Sequence, residues 1–502
     1  MKSRGHLFSL SGNLDSLFAA FGGFILIQVF SKHSGIGISP DSVTYLSAAR
    51  HIGQGLGFKS FDLLPVIDFP AGYPFFLSAI SFITRLDPLQ FAPWLNGILF
   101  GILLYICGGI MNGFYKSNGW YKRVLLLCIL LSPALQEVYS MLWSETIFLL
   151  LVLFFIISMS DYLRSMTTKW LVISGLICAF ACLARYAGIF LVPAGLILIF
   201  FNYNIPLRKR IAHNLLFGSL SVSLFILNLI RNYQLTGFLT GQRQRGNLGF
   251  STIIAYFGGV FCDWFQFYKS TGTATGLTFV VIVIFLLALF FSYRRKSSGY
   301  LFEYISAVTG LIYCVFMLLS SFLTRYEQFT NRLLAPMFIP LLWSISWWIP
   351  GFIESRTYRI KWIAGFFFLI VTAGLINIQL AADYEFYDGV KDAGIPDYGE
   401  DEFALSGIVR FLEQNRTIFD SRFPIYSNAG DAVYFVTGLP AIQLPSVVFP
   451  KKVRQYFGAK NNYLVWFRDL NNPEMPKLDS ILQNKNMQLL KQLPEGAVYF
   501  SN

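Results

Sequence analysis

Groups able to do acid–base chemistry are few in this chain, and their scarcity selects them. Only 27 of 502 residues are Asp or Glu, and twelve of these precede position 383. Asp41 stands in Ser39-Pro40-Asp41-Ser42-Val43-Thr44-Tyr45, at the head of a helix-forming run. There it is a natural N-cap, and it is also a carboxylate at a helix entrance, placed to take a proton from an incoming hydroxyl or amine. Asp68, in Asp68-Phe69-Pro70-Ala71-Gly72-Tyr73-Pro74, reads as a solvated turn residue before a segment stiffened by two prolines; Tyr73 in that segment joins it as a candidate. Glu145, in Trp143-Ser144-Glu145-Thr146, opens a strongly apolar run, where the positive end of a helix favours an acid.

The basic candidates are mostly arginines. Arg185 lies in Ala184-Arg185-Tyr186-Ala187-Gly188; Arg231, Arg243, Arg245 and Lys269 share one long loop; Arg325 and Arg332 flank a short one. A guanidinium matches a phosphate bidentately, so these are candidate phosphate ligands, while pairing with Glu327 or Asp263 is the structural alternative for some. The four histidines are scattered, and His51 beside Arg50 reads as a site candidate or an interfacial side chain. No HExxH, Walker loop or GxSxG is present, the six cysteines show no metal or disulfide spacing, and no acidic pair close in sequence marks a metal site. No cofactor is expected.

The elements that must position these residues are apolar. Hydrophobic residues make up 55% and charged residues 13% of the chain, about half the charged share of a typical soluble protein. A water-soluble enzyme is thereby excluded. The first 382 residues carry 27 basic and 12 acidic groups and the last 120 carry 12 and 15, so the formal +12 comes from the apolar body. Its positive groups fall between apolar stretches and form no continuous polar face, which argues against nucleic acid as a partner.

Apolar windows long enough to cross a bilayer fall at about 14–31, 91–111, 123–141, 144–160, 170–184, 186–202, 213–230, 275–292, 301–323, 332–350 and 361–381. We therefore expect a polytopic α-helical membrane protein of about 11 spans (range 10–13). With the N-terminus inside, sixteen Lys and Arg fall in the cytoplasmic segments (Lys2, Arg4, Lys116 and Lys122 among the first) and eleven on the outer side before the tail. The stretch 73–83 is too short to span and is expected as a juxtamembrane or re-entrant helix in a long first outer loop, 32–90. A second outer loop covers 231–274 and is too aromatic for disorder.

Two domains follow: a membrane body, 1–382, and an extracytoplasmic α/β domain, 383–502. The second alternates β-like runs (Phe423–Ser427, Val433–Val436, Tyr463–Phe467, Ala497–Phe500) with helical ones (Phe403–Gln414, Ser480–Asn486). It reads either as shaping acceptor access or as a stabilising cap.

The order of these motifs resembles the membrane glycosyltransferases of superfamily C, in particular bacterial relatives of protein O-mannosyltransferases and lipid A aminoarabinose transferases. The match rests on Pro40-Asp41-Ser42-Val43-Thr44-Tyr45, Phe69-Pro70-Ala71-Gly72-Tyr73-Pro74, Ser144-Glu145, Ala184-Arg185-Tyr186-Ala187-Gly188, Asn331-Arg332-Leu333-Leu334-Ala335-Pro336 and, in the tail, the run from Pro424 to Gly438. The resemblance implies a sugar donor carried on a polyprenyl phosphate and inverting transfer to a lipid, glycan or protein acceptor on the non-cytoplasmic face of a bacterial inner membrane. Asp41 matches the catalytic aspartate, and Arg185 and Arg332 are the leading phosphate ligands, with Arg243, Arg245 and Lys269 behind them. Ser42 stands where many O-mannosyltransferases have a second acid, and Asp68 where aminoarabinose transferases have a lysine, which counts against those two acceptor specificities.

Two other readings compete. A lipid-linked sugar flippase or transporter would show internal repeats and mid-bilayer ionisable residues, whereas these acids cluster toward one surface. A polysaccharide polymerase or ligase usually depends on a large outer loop late in the chain, whereas here the Asp-bearing loop comes first.

Overall fold

Leu, Ile, Val and Phe in runs of this length fold as helix when no water is present to satisfy backbone groups, and in the computed structural model the described residues of each of the eleven windows are mostly helical. The structure describes residues 13–112, 119–241, 244–295, 301–325, 328–346, 349, 358–470, 472 and 474–502. Lys2, Arg4, Lys116, Arg243, Lys296, Glu327, Glu354 and Arg356 lie outside the described residues.

The chain opens with α1 (Leu14–Phe30), then places two helices, α2 (Pro40–Gly53) and α3 (Gly72–Thr84), in the first long loop. After α4 (Pro88–Asn112) the window 123–141 becomes two helices, α5 (Gly119–Leu130) and α6 (Pro133–Ser140), bent by 49°. Pro133 causes the break: it has no N–H to offer and disfavours helix in the residue before it. Then come α7 (Glu145–Ser165), α8 (Thr168–Ala184), a 3₁₀ turn over Tyr186–Phe190, α9 (Leu191–Phe200) and α10 (Leu207–Thr236). The second long loop contains α11 (Phe250–Phe265), and the body ends with α12 (Thr271–Arg295), α13 (Leu301–Leu323), α14 (Asn331–Ser346) and α15 (Tyr358–Ala393).

By length and composition six of the described helices (α4, α7, α10, α12, α13 and α15) are able to cross a membrane, or seven if the bent pair is one span. The remaining windows form shorter helices, such as the 17 residues of α1 and of α8 and the 16 of α14, which at ~1.5 Å per residue reach about 24–26 Å. Helix α15 runs past position 383, where the charge density rises, to Ala393.

The tail holds a five-stranded sheet in the order β2-β1-β3-β5-β4, with β1 (Ile425–Ser427), β2 (Ala441–Gln443), β3 (Asn462–Phe467), β4 (Met487–Leu493) and β5 (Gly496–Ser501). Strand β1 runs parallel to β2 and β3, and β5 is antiparallel to β3 and β4. Expected strands at 423–427, 463–467 and 497–500 are present, but Val433–Val436 lies in a helix, α18 (Gly430–Thr437), which follows α16 (Asp401–Ala404) and α17 (Gly407–Gln414). Topology overrides the β-branched run there. Two adjacent parallel strands need a crossover connection, and α18 is that crossover, ended by Gly438 at φ +71°.

This domain is not loosely attached. Ile408, Val409, Leu412 and Val433 share one buried core with Val43, Tyr45, Leu46, Tyr73 and Leu77 of α2 and α3. Backbone bonds reinforce it: Tyr398 N–H donates to Ile38 O at 3.0 Å. Leu412 is fully buried in this core, so Leu412→Ala should cost about 2–5 kcal/mol, measured as a lower unfolding temperature of the whole protein in lipid nanodiscs.

Candidate active site

Helix α2 begins with a capping box. Ser42 N–H donates to Ser39 Oγ at 3.4 Å, and Ser39 N–H donates to Ser42 Oγ at 3.1 Å, with Pro40 at the first helical position. This corrects the reading of Asp41 as the N-cap: Ser39 fills that role, and Asp41, one residue into the helix, keeps its carboxylate for other partners. Its Oδ2 lies 2.7 Å from Arg332 Nη1.

Arg332 enters from the first turn of α14 and is shared. Its Nε pairs with Glu145 Oε1, and its Nη2 donates to Glu145 Oε2 at 3.4 Å. From the opposite side Arg185, in extended backbone between α8 and the 3₁₀ turn, brings Nη1 to 2.5 Å from Glu145 Oε2 and 2.9 Å from Ser144 Oγ. The result is a charge chain, Asp41–Arg332–Glu145–Arg185, assembled from the starts of α2, α7 and α14 and the end of α8. Glu145 is 1% exposed and Asp41 35%. The inner carboxylate is therefore a fixed counter-charge, and the outer one is accessible.

Glycines allow the close approach that brings Arg185 in. A Cβ on Gly72 would sit 2.5 Å from Leu183 O, and one on Gly188 would strike the Ala181 carbonyl. Both contacts are at the end of α8, so both glycines set where Arg185 points.

Two aromatic residues that sequence reasoning did not nominate complete the site. The Arg332 guanidinium stands 4.3 Å from the centroid of the Trp143 ring, and Trp143 Nε1 donates to Ser39 Oγ at 2.8 Å, coupling the cap of α2 to the arginine. Tyr45 is buried, with its hydroxyl 3.2 Å from Ser144 Oγ; burial, and next Asp41, raise its pKa well above the ordinary phenol. The available signal was position: Tyr45 is one helical turn beyond Asp41, and Trp143 adjoins Ser144-Glu145. Tyr73 stacks edge-on against Tyr45 at 5.1 Å, behind the charge chain.

The other candidates lie elsewhere. His51 is three turns along α2 from Asp41, bonded through Nδ1 to Lys59 O at 2.9 Å and facing Tyr434. Asp68 packs against Gly241. Lys269 pairs with Asp263 at 2.8 Å, both exposed. Arg325 pairs with Glu474 and with Gln244 Oε1 at 2.8 Å, tying the loop after α13 to the tail. Arg245 lies beside it, in a β-bridge to Thr324. Arg231 donates to Val66 O and Phe58 O at 3.0 and 3.2 Å, holding the loop between α2 and α3 on α10.

No protein-family model and no curated protein matches the chain. Solved structures do. The chain is similar to ArnT from Cupriavidus metallidurans in the apo state, with a TM-score of 0.58 and 12% identity over 97% of each chain. It is likewise similar to the same protein bound to undecaprenyl phosphate, with a TM-score of 0.57 and 13% identity over 97% of each. The fold is thus that of ArnT. With apolar helices of spanning length, it makes this an integral membrane protein.

Removing Glu145 would leave two largely buried guanidiniums without their common counter-charge. Glu145→Ala should destabilise by about 3–5 kcal/mol, and adding Arg185→Met should recover part of the loss. Thermal unfolding of the single and double variants in nanodiscs reads both effects.

Proposed function

We propose that the protein transfers a sugar from a polyprenyl phosphate to an acceptor hydroxyl or amine on the non-cytoplasmic face, with inversion, and that Asp41 is the general base. The observation that carries this reading is the Asp41–Arg332–Glu145–Arg185 chain, in which one carboxylate is accessible and the other is fully committed to two arginines. The ArnT structure with undecaprenyl phosphate, the same fold over nearly the whole length, supports the donor class.

Each residue has work suited to its surroundings. The acceptor oxygen or nitrogen attacks the anomeric carbon from the side opposite the phosphate, and Asp41 takes its proton. The bond from that carbon to the phosphate oxygen breaks, and polyprenyl phosphate leaves as an anion. It needs positive charge but no protein acid. Among the described residues Arg185 uses only Nη1 in its contacts, so its Nε and Nη2 are available to a phosphate. Arg332 reaches both the base and the buried Glu145, and so couples phosphate binding to the placing of Asp41. Glu145 acts through the arginines as a positioning residue. Arg245 and Lys269, held away from the charge chain, take no part in this reading, and Arg243 lies outside the described residues; the tail, packed on α2, stands on the same side as the charge chain.

Purified protein in nanodiscs, given undecaprenyl phosphate carrying labelled sugars, should release undecaprenyl phosphate. Asp41→Asn should lower kcat by about 10²–10⁴-fold with little change in donor affinity, whereas Arg185→Met should raise the donor KM. Full release by Asp41→Asn would remove the base assignment, and passage of intact lipid across the bilayer with no release would favour a flippase.

A further inference from the structure

Beside the charge chain lies a cavity of about 270 Å³, walled by α6, the start of α14, the outer part of α15 and the segment 395–397. It would hold several waters at ~30 Å³ each. Its polar lining is acceptor-rich. Glu137, Asp383 and Asp397 all border it, and none of its described lining residues is basic.

Two of its polar atoms lack a partner. Asp383 is 8% exposed and its Oδ2 accepts from Gln136 Nε2 at 2.8 Å, yet its Oδ1 is buried with no hydrogen-bond partner among the described residues. Ser140 Oγ, also bordering the cavity and buried, is in the same condition. A buried polar atom left unpaired is destabilising, so such a pair of atoms marks a place where a ligand supplies the missing bonds. The apolar lining is aromatic, from Trp143 and Phe386.

Hydroxyl donors to satisfy carboxylate and seryl oxygens, together with a ring having an apolar face for Trp143 and Phe386, describe a monosaccharide. An anion is disfavoured. Burial, with Glu400 close by, already pushes the Asp397 carboxyl above its ordinary range, although Arg332 pulls it down. The position is also suitable. Trp143 both lines the cavity and carries the Arg332 guanidinium, and Asn331, which donates to Glu137 Oε2 at 3.0 Å, is the neighbour of Arg332 in the chain.

We infer that this cavity is the sugar-ring subsite of the transferase, taking one neutral or cationic monosaccharide beside the phosphate-binding arginines. The inference rests on the transferase reading, and the sugar could belong to the donor lipid or to the acceptor. The shared chemistry is a hydroxyl-bearing ring held by Glu137, Ser140, Asp383 and Asp397.

The test measures binding to the full-length protein in nanodiscs. Probes are bare undecaprenyl phosphate, the same lipid carrying a panel of hexoses and pentoses, and the matching methyl glycosides. Ala382→Phe fills the cavity. Asp383→Asn keeps its shape, since the amide oxygen still accepts from Gln136, but turns the free acceptor into a donor. If the donor sugar sits here, at least one sugar-bearing lipid binds wild type tenfold or more tighter than the bare lipid, and both variants erase that preference while leaving bare-lipid affinity within twofold. If the acceptor sugar sits here, a methyl glycoside binds wild type in saturating undecaprenyl phosphate, and both variants abolish it. Sugar binding undiminished in an Asp383→Asn variant with wild-type melting temperature overturns the inference, as does the absence of any sugar-dependent binding in wild type. Failure of wild type to bind bare undecaprenyl phosphate would instead count against the transferase reading.

Discussion

A buried carboxylate is the constraint around which the site is built. Removing an ionised group from water costs several kcal/mol unless counter-charges and hydrogen bonds replace the solvent, and Glu145 obtains them from Arg332 and Arg185 together. Meeting that requirement fixes three helix ends at once: the start of α7, the end of α8 and the start of α14. Once these converge, the arginines have little freedom to follow other partners. Their remaining donors are thereby held in place by the same pairing. Asp41 is bound into the same arrangement through Arg332, but from its edge, where the carboxylate is partly exposed.

Much of this was legible in the residues because the chain is so poor in acids. Asp41, Glu145, Arg185 and Arg332 are all nominated by type, position and order of motifs, and all four meet. The pairing itself was not legible, since Arg332 and Glu145 are 187 positions apart and nothing local distinguishes Arg332 from Arg325. Arg325 stands seven residues earlier, carries the same group, and goes to Glu474 in the tail. Lys269 is likewise taken by a near neighbour, Asp263. Which arginine reaches a buried acid is decided by helix packing, not by the side chain's own chemistry.

Local rules failed where a stronger one intervened. Asp41 has the right type for an N-cap, but Pro40 suits the first helical position and moves the cap back to Ser39. The run Val433–Val436 has strand-like residues, but the parallel pairing of β1 and β2 demands a helix between them. The apolar windows are legible as helix because such a run has few alternatives in a bilayer, but their number as spans is not, since only six or seven of the described helices have spanning length. Pro133 was visible as well, yet only the packing shows the 49° bend it introduces into the 123–141 window.

The tail takes a larger part in the site than a cap would. Tyr398 N–H bonds to Ile38 O, one residue before the Ser39 cap, and Ile395 N–H bonds to Ser34 Oγ. The strand-like approach to α2 is therefore held by the tail before the helix begins. Below it, Trp143 grips Ser39 from the membrane body. The helix entrance that presents Asp41 is thus clamped between the two units, and neither alone determines its direction. A tail that only shielded the surface would have no reason to bond its backbone to the Ser34 hydroxyl and the Ile38 carbonyl, immediately upstream of the carboxylate. Placed there, these bonds make the direction of the Asp41 carboxylate depend on the docking of the sheet-bearing tail as much as on the packing of the apolar helices.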